Sequence, residues 1–504
     1  MTQSRSVPRR HGIVVGPVAM TAIALIGLQF LVRLIIIPQA YWWEDDFFHL
    51  AQARTMGLQK DFLVSDYNDH LEILPNFLWW LLTQITSSSW APAAVLILVL
   101  STTASAMMYL LLRELFGSRP AILLPLAAYL FSPLALAAVT WLAACIDSLP
   151  MQIALLGTPF AMLRFARSGR SRWLVLALVL HAVGLLAWEK GALVLPFALG
   201  LQVLVVDAGV PLRERLARLR GAWLAWLAHG LLLASYLVLY FNVVDGSERR
   251  EVAGVDYLEG ARISIFRVLV PGLFGAPWKR GDAENTVYPD PGTALAVVFA
   301  VLLGIVFVLS ILKNRRAALG PWLLAAGYVG ADVALMLWGR AGFLTLVARD
   351  PRYVMDAVPV VLICVAAAFL IRKPPGASDV APGLVPADLA VTRAGLAVAG
   401  VAATVVTAGS LLTTFQLAPV LQHAYARDYV EGVAVRSEPD PGTSIIDTRV
   451  PKLVSGNVDH QRLMLAMGRR VTFDQPSTRM QVFDAAARLV VVDIADPDLV
   501  KRGP

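Results

Sequence analysis

Glu44, Asp45 and Asp46 are three consecutive carboxylates placed directly after Trp42 and Trp43. Adjacent carboxylates repel one another, which raises at least one pKa unless a cation neutralises the cluster. A carboxylate in that state is a good general base for a hydroxyl. The same run also suits the solvated first turn of a helix, where acids favour the positive end of the helix dipole. The surrounding stretch, residues 41–76, carries seven acids against two bases, Arg54 and Lys60, in an otherwise apolar chain. Tryptophans in such a place suit the headgroup level of a bilayer, where an apolar ring and a polar edge are both satisfied.

A second group, Asp66, Asp69 and His70, has the i, i+3, i+4 spacing of one helical face. His49 follows Asp45 by four residues, so Asp45, His49, Asp69 and His70 could share a cation. Oxygen ligands with some imidazole suit a divalent Mg or Mn better than Zn, although no closed ligand motif is present. A third group is basic: Lys190, Arg349 and Arg352, with Tyr353 next to the last. Arg makes bidentate contacts to phosphate and Lys a point-charge contact. Neighbouring acids offer each a plainer partner, Glu189 beside Lys190 and Asp350 beside Arg349. Asp147, Asp332, His181 and Arg33 fall in or at the ends of apolar runs, where ionisable groups usually face a cavity or a partner. Asp147 and Arg33 are expected at one cleft, and His181 and His229 are expected as satisfied core histidines.

The elements that position these groups are membrane spans. The chain is 57% hydrophobic and only 16% charged, with a mean hydropathy of +0.65. Soluble domains run near 25% charged. Apolar runs of about 20 residues make the class α-helical, not a β-barrel. About eleven spans are expected by the ~20-residue rule, near 13–37, 92–112, 121–143, 149–165, 173–188, 191–206, 222–242, 294–312, 320–338, 354–371 and 394–414. The first is too long for a signal-peptide core and reads as an uncleaved span. The net charge of +7 sits in short clusters between spans, which orients a membrane protein and does not call for nucleic acid. Those clusters are Arg5, Arg9 and Arg10; Arg113 and Arg119; Arg164, Arg167, Arg170 and Arg172; Arg213, Arg215, Arg218 and Arg220; Lys313, Arg315 and Arg316; and Arg372, Lys373 and Arg393. With that count each falls on the cytoplasmic side, as does the N-terminus, while the acidic loop and residues 416–504 lie outside. Residues 71–85 read as an outer interfacial helix. Trp188, Glu189 and Lys190 form an outer tip between two short spans, and Pro125 and Pro133 predict a kink. The linker 373–388 is Pro/Gly-rich and flexible in type. The last stretch is polar, with strand-like TSIIDT and RLVVVDIAD, a small α/β domain. Cys145 and Cys364 give no disulfide framework.

The order of these features resembles the GT-C superfamily of polytopic glycosyltransferases, whose bacterial relatives include protein O-mannosyltransferases and aminoarabinose transferases. The likeness lies in WEDDFFHLAQA, DHLEILPNFLWWL, LLRELFGSRPAILLPLAAYLFSPLALAAVTWLAA and LLAWEKGALVLP. It implies a transmembrane transferase domain over 1–415, with a catalytic first outer loop at 38–91. It also implies a polyprenyl-phosphate-linked sugar donor and a glycan, lipid or protein acceptor. Carried over by position, Asp45 or Asp46 becomes the base, and Lys190, Arg349 and Arg352 the phosphate ligands. Here the acids run Glu-Asp-Asp where the superfamily commonly has Asp-Glu, which leaves the identity of the base open. A lipid transporter would also hold intramembrane charges, but internal repeats and broken midplane helices are expected there. A non-catalytic assembly protein would not need a triple-acid loop.

Overall fold

A computed structural model describes residues 16–247, 256–275, 277–280, 287–341, 344–370, 393–477 and 479–492 of the 504. Among these, eight stretches are long and apolar enough to cross a membrane. Three shorter apolar helices, Ile73–Ile85, Ser171–Ala187 and Ala357–Leu370, accompany them. Every expected span overlaps a helix, and Gly292–Gly339 contains two of them, broken at the tight turn Arg315–Ala318. Arg5, Arg9, Arg10, Arg372, Lys373 and the 373–388 linker lie outside the described residues.

The bundle is built on the helix Leu142–Ser168, buried over most of its length and packed against Ser171–Ala187 and Ala91–Phe116. Its interior prolines, Pro150 and Pro159, are tolerated because neighbouring helices compensate the freed backbone groups. Gln152 ties it sideways, accepting from Tyr129 Oη at 2.7 Å and donating to the Met355 carbonyl at 3.3 Å. The preceding span breaks between its two prolines: Leu123–Leu130 stops at Phe131 and the chain resumes with Pro133–Ala135 and Leu136–Thr140.

The tip at 188–193 connects Ser171–Ala187 to Val194–Gly200 through a tight turn. Gly191 lies against Gly184 so closely that a Cβ there would meet the Gly184 carbonyl at 2.4 Å, an approach that only glycine permits. Lys190, on the same turn, points inward. Its ammonium pairs with Asp332 at 2.5 Å and Asp356 at 3.2 Å and donates to the Tyr353 carbonyl. Tyr328 Oη completes the group by donating to Asp356 at 2.8 Å.

The polar stretch after the last span forms helices Ala424–Val435 and His460–Ala466 with a three-stranded sheet. Thr443–Ile445 pairs parallel with Arg479–Phe483, which pairs antiparallel with Leu489–Val492. Both strand-like motifs therefore enter the sheet, the second being described only as far as Val492. Its helix His460–Ala466 packs against Asp45–Met56 of the acidic loop.

Replacing Lys190 by Ala leaves Asp332 and Asp356 facing each other without a cation. Breaking a buried pair in this way costs ~3–5 kcal/mol. The expected outcome is a large fall in the thermal midpoint of purified protein, partly recovered in Lys190→Met/Asp332→Asn.

Candidate active site

The three acids point in three directions. Asp46 is fully buried, and its carboxylate accepts the Trp43 amide at 3.0 Å and the Ala143 amide at 2.9 Å. It therefore caps the start of Leu142–Ser168 from another segment, a position where an acid meets unpaired N–H groups and the helix dipole. Burial pushes its carboxyl up, and the backbone amides of Trp43 and Ala143 oppose that. Glu44 has a positive φ of 47° and turns the other way. Its amide donates to the Val454 carbonyl at 2.9 Å, its carbonyl accepts from Ser455 Oγ at 3.1 Å, and its carboxylate accepts the Gly456 amide at 2.8 Å. Burial raises the Glu44 carboxyl to about 7. Asp45 alone of the three lines a cavity, of about 470 Å³. Its Oδ1 accepts from Tyr67 Oη at 2.7 Å and from Asn457 Nδ2 at 2.6 Å. Burial, and then the Asp45 charge, pushes the Tyr67 phenol up, so it stays a donor.

Trp42 and Trp43 do not sit at a lipid interface. Trp42 packs edge-on against Trp90 at 5.0 Å and donates to the Ser88 carbonyl at 2.9 Å. Trp43 stacks on His423 at 4.4 Å and donates to the Leu453 carbonyl at 3.2 Å. Their indole N–H groups find carbonyls inside the protein, so the rings act as core that fixes the acidic turn.

Asp66, Asp69 and His70 do not share a helical face. Asp66–Tyr67 and His70–Leu71 pair as a hairpin, with Asn68 and Asp69 at φ 51° and 62° in its two-residue turn. This is the backbone of a type I′ turn. The four expected cation ligands do not converge either. Both ring nitrogens of His70 are engaged, Nδ1 by Glu189 at 2.9 Å and Nε2 by Arg340. His49 is buried, stacked on Trp79, and held neutral by burial with a pKa of about 4. Among the described residues, the His, Cys, Asp and Glu side chains that do come together, within 4.8 Å, are Asp66, Asp69 and Asp245.

The cavity that Asp45 lines is also lined by Arg340, Arg352 and Tyr353, and by Asp147 and Glu72. Arg352 pairs with Asp350 at 2.8 Å, reaches Tyr353 Oη at 3.2 Å and lies over the Trp141 ring at 4.3 Å. Burial opposes its charge, but Tyr353, Asp350, Asp45 and Asp147 outweigh that and hold it above the ordinary value. Arg340 donates to the Asn68 carbonyl. Burial raises the Glu72 carboxyl well above its usual range, with Asp147 and Asp45 adding to the rise.

The other expected residues are placed elsewhere. Lys190 has its three donors spent on Asp332, Asp356 and the Tyr353 carbonyl, beside the cavity and not on its lining. Arg349 is exposed and lies over the Tyr288 ring at 5.6 Å. The neighbour pairings also differ from expectation: Glu189 joins His70, and Asp350 joins Arg352. Arg33 lines a separate crevice with Gln29, Phe131 and Thr414, away from Asp147. His181 and His229 face each other at 3.0 Å. Sequence reasoning missed Tyr67, Glu72 and Asn457 as cavity residues. Arg340 carried the same signal as Arg352, a base on the side where the charge rule disfavours one, but was not singled out.

An acid whose pKa is raised on folding loses stability as pH rises from its unfolded value through its folded one. For Glu44 that window runs from the ordinary 4.5 to about 7. Glu44→Gln should therefore flatten the pH dependence of thermal stability across that window. A midpoint measured against pH for both proteins checks this, the difference between them growing as pH rises.

Residues 72–240 match the family model of dolichyl-phosphate-mannose-protein mannosyltransferase. No curated protein matches the chain by sequence. Among solved structures, ArnT from Cupriavidus metallidurans in the apo state aligns over 92% of this chain and 87% of its own, at 14% identity and a TM-score of 0.52. The same protein bound to undecaprenyl phosphate aligns over 90% and 86%, at 14% identity and 0.48. The apo oligosaccharyltransferase of Archaeoglobus fulgidus aligns over 83% of this chain and 58% of its own, at 14% identity and 0.43. The chain is a multi-pass α-helical membrane protein that shares its fold with ArnT, and over residues 72–240 it is similar to the mannosyltransferase family.

Proposed function

We propose that the chain transfers a sugar from a polyprenyl-phosphate-linked donor to an acceptor hydroxyl on the extracytoplasmic face, with Asp45 as general base. The observation that carries this reading is the division of labour among the three acids. Asp46 is spent on two backbone amides and Glu44 on the 454–456 segment, while Asp45 opens on the cavity that Arg352 bounds. In the reaction, the acceptor oxygen loses its proton to the Asp45 carboxylate and bonds to the sugar carbon. The bond from that carbon to the phosphate oxygen breaks, and the phosphate leaves with the electron pair. A guanidinium near that oxygen stabilises the transition state more than the ground state, because the charge grows as the bond breaks. Arg352 fits this role: its Nη1 has no protein partner among the described residues, and the Trp141 and Tyr353 rings hold its plane.

Asn457 and Tyr67 orient the base. Each donates to the same Asp45 oxygen, which leaves Oδ2 for the acceptor. Asn457 comes from the polar C-terminal stretch, so that stretch completes the site instead of merely flanking it.

Asp45→Asn should lower transfer of a labelled sugar from lipid donor by ~10²–10⁴, with donor binding retained. Asp46→Asn should act through stability instead, because an amide N–H would face a backbone N–H at a cost of ~1–3 kcal/mol. Asn457→Ala should lower kcat with the KM for donor little changed. If Asp45→Asn kept near-normal transfer, this reading would fail; a soluble nucleotide sugar used directly would exclude the lipid donor.

A further inference from the structure

The helices Ala91–Phe116 and Leu142–Ser168 both start beside the acidic turn, at Trp90 and Ala143, and end together at the opposite end of the bundle. There a hollow of about 340 Å³ is lined by Arg113, Arg164, Arg167, Arg170 and Arg172, with Glu114 as its one acid. The buried Glu114 carboxylate is divided between Arg164 Nε at 2.7 Å and Arg167 Nη1 at 2.5 Å. Arg167 also donates to the Glu114 carbonyl at 3.1 Å. Trp173 forms one wall, with the guanidinium groups of Arg164 and Arg172 over its ring at 5.8 and 5.4 Å. Arg113 and Arg170 are exposed on the rim and have no carboxylate partner among the described residues.

Orienting a membrane protein requires bases on one side of a span, not bases converging on one hollow. Five guanidinium groups against one carboxylate leave a strong local excess of positive charge that a bound anion would relieve. The carboxylate and the indole hold part of the set in place, so the ordering cost is already met before a ligand arrives.

We propose that this hollow binds the phosphate of an anionic phospholipid headgroup, on the leaflet opposite the candidate active site. The hollow lies where spans end, which is headgroup depth, and tryptophan favours that depth. Guanidinium groups match phosphate oxygens in pairs, and basic hollows between span ends suit anionic lipid heads. The site stands apart from the transfer chemistry and does not depend on it.

The test uses the full chain in nanodiscs of phosphatidylcholine, with phosphatidylglycerol titrated in and the thermal midpoint as readout. The midpoint of the unaltered protein should rise and saturate at a low fraction of phosphatidylglycerol. In Arg113→Ala/Arg170→Ala most of that rise should be lost, while the midpoint in pure phosphatidylcholine stays the same, since neither side chain has a carboxylate partner among the described residues. Arg113→Lys/Arg170→Lys keeps the charge needed for insertion but not the paired contacts, and should also lose most of the rise. If either variant responded as the unaltered protein does, the built site would be overturned. If glycerol phosphate added to pure phosphatidylcholine discs gave the whole rise, the lipid would be the wrong ligand.

Discussion

The position of the candidate site depends on one carboxylate. Asp46 joins the acidic turn to the first residues of the central helix through two backbone amides, one at Trp43 and one at Ala143. A buried carboxyl at that depth is tolerable because these donors and the helix dipole replace water. Once Asp46 is fixed, its neighbours are fixed too. Asp45 precedes it by about 100° around the helix, from 3.6 residues per turn, and so opens on the cavity. Glu44 is held at a positive φ by three contacts to residues 454–456. A left-handed, non-glycine residue next to a cavity acid is the kind of backbone cost that persists only where the surroundings over-determine it.

Opposite charges are distributed in the same economical way. Lys190 neutralises two buried aspartates and holds the 188–193 tip against the helix Leu319–Gly339. That fixes Trp188 and Glu189, and through Glu189 it fixes His70 on the hairpin. Arg340 then bridges His70 and Asn68. The cavity wall is thus a continuous chain of paired groups running from the tip to the hairpin. Arg352 stands outside that chain, held by one aspartate and two rings.

Much of this was legible in the sequence, for reasons that differ by feature. Span positions follow from the length and apolarity that any helix in lipid requires, and the break near Pro125 and Pro133 follows from proline's missing N–H. The acidic loop was visible because seven acids in a greasy chain are conspicuous. What the three acids do individually was not legible, because it depends on amides about 100 and 410 residues away in sequence, at Ala143 and Gly456. Lys190 and Arg352 looked equivalent as bases on the disfavoured side, and only packing against Asp332 and Asp356 separates them. The hairpin at Asp66–Leu71 was misread as a helix face because i, i+3, i+4 spacing over five residues cannot outweigh an Asn-Asp turn. Asn457 had no sequence signal: nothing in GNVDH marks a residue that reaches Asp45.

The most direct measurement is a density map of the protein bound to an unreactive polyprenyl-phosphate-sugar analogue. The phosphate should lie within hydrogen-bond reach of Arg352, with the sugar carbon bearing it on the side of the cavity facing Asp45. A phosphate seated on Lys190 or Arg349, or a lipid outside the cavity altogether, would contradict Asp45 as base and Arg352 as phosphate ligand.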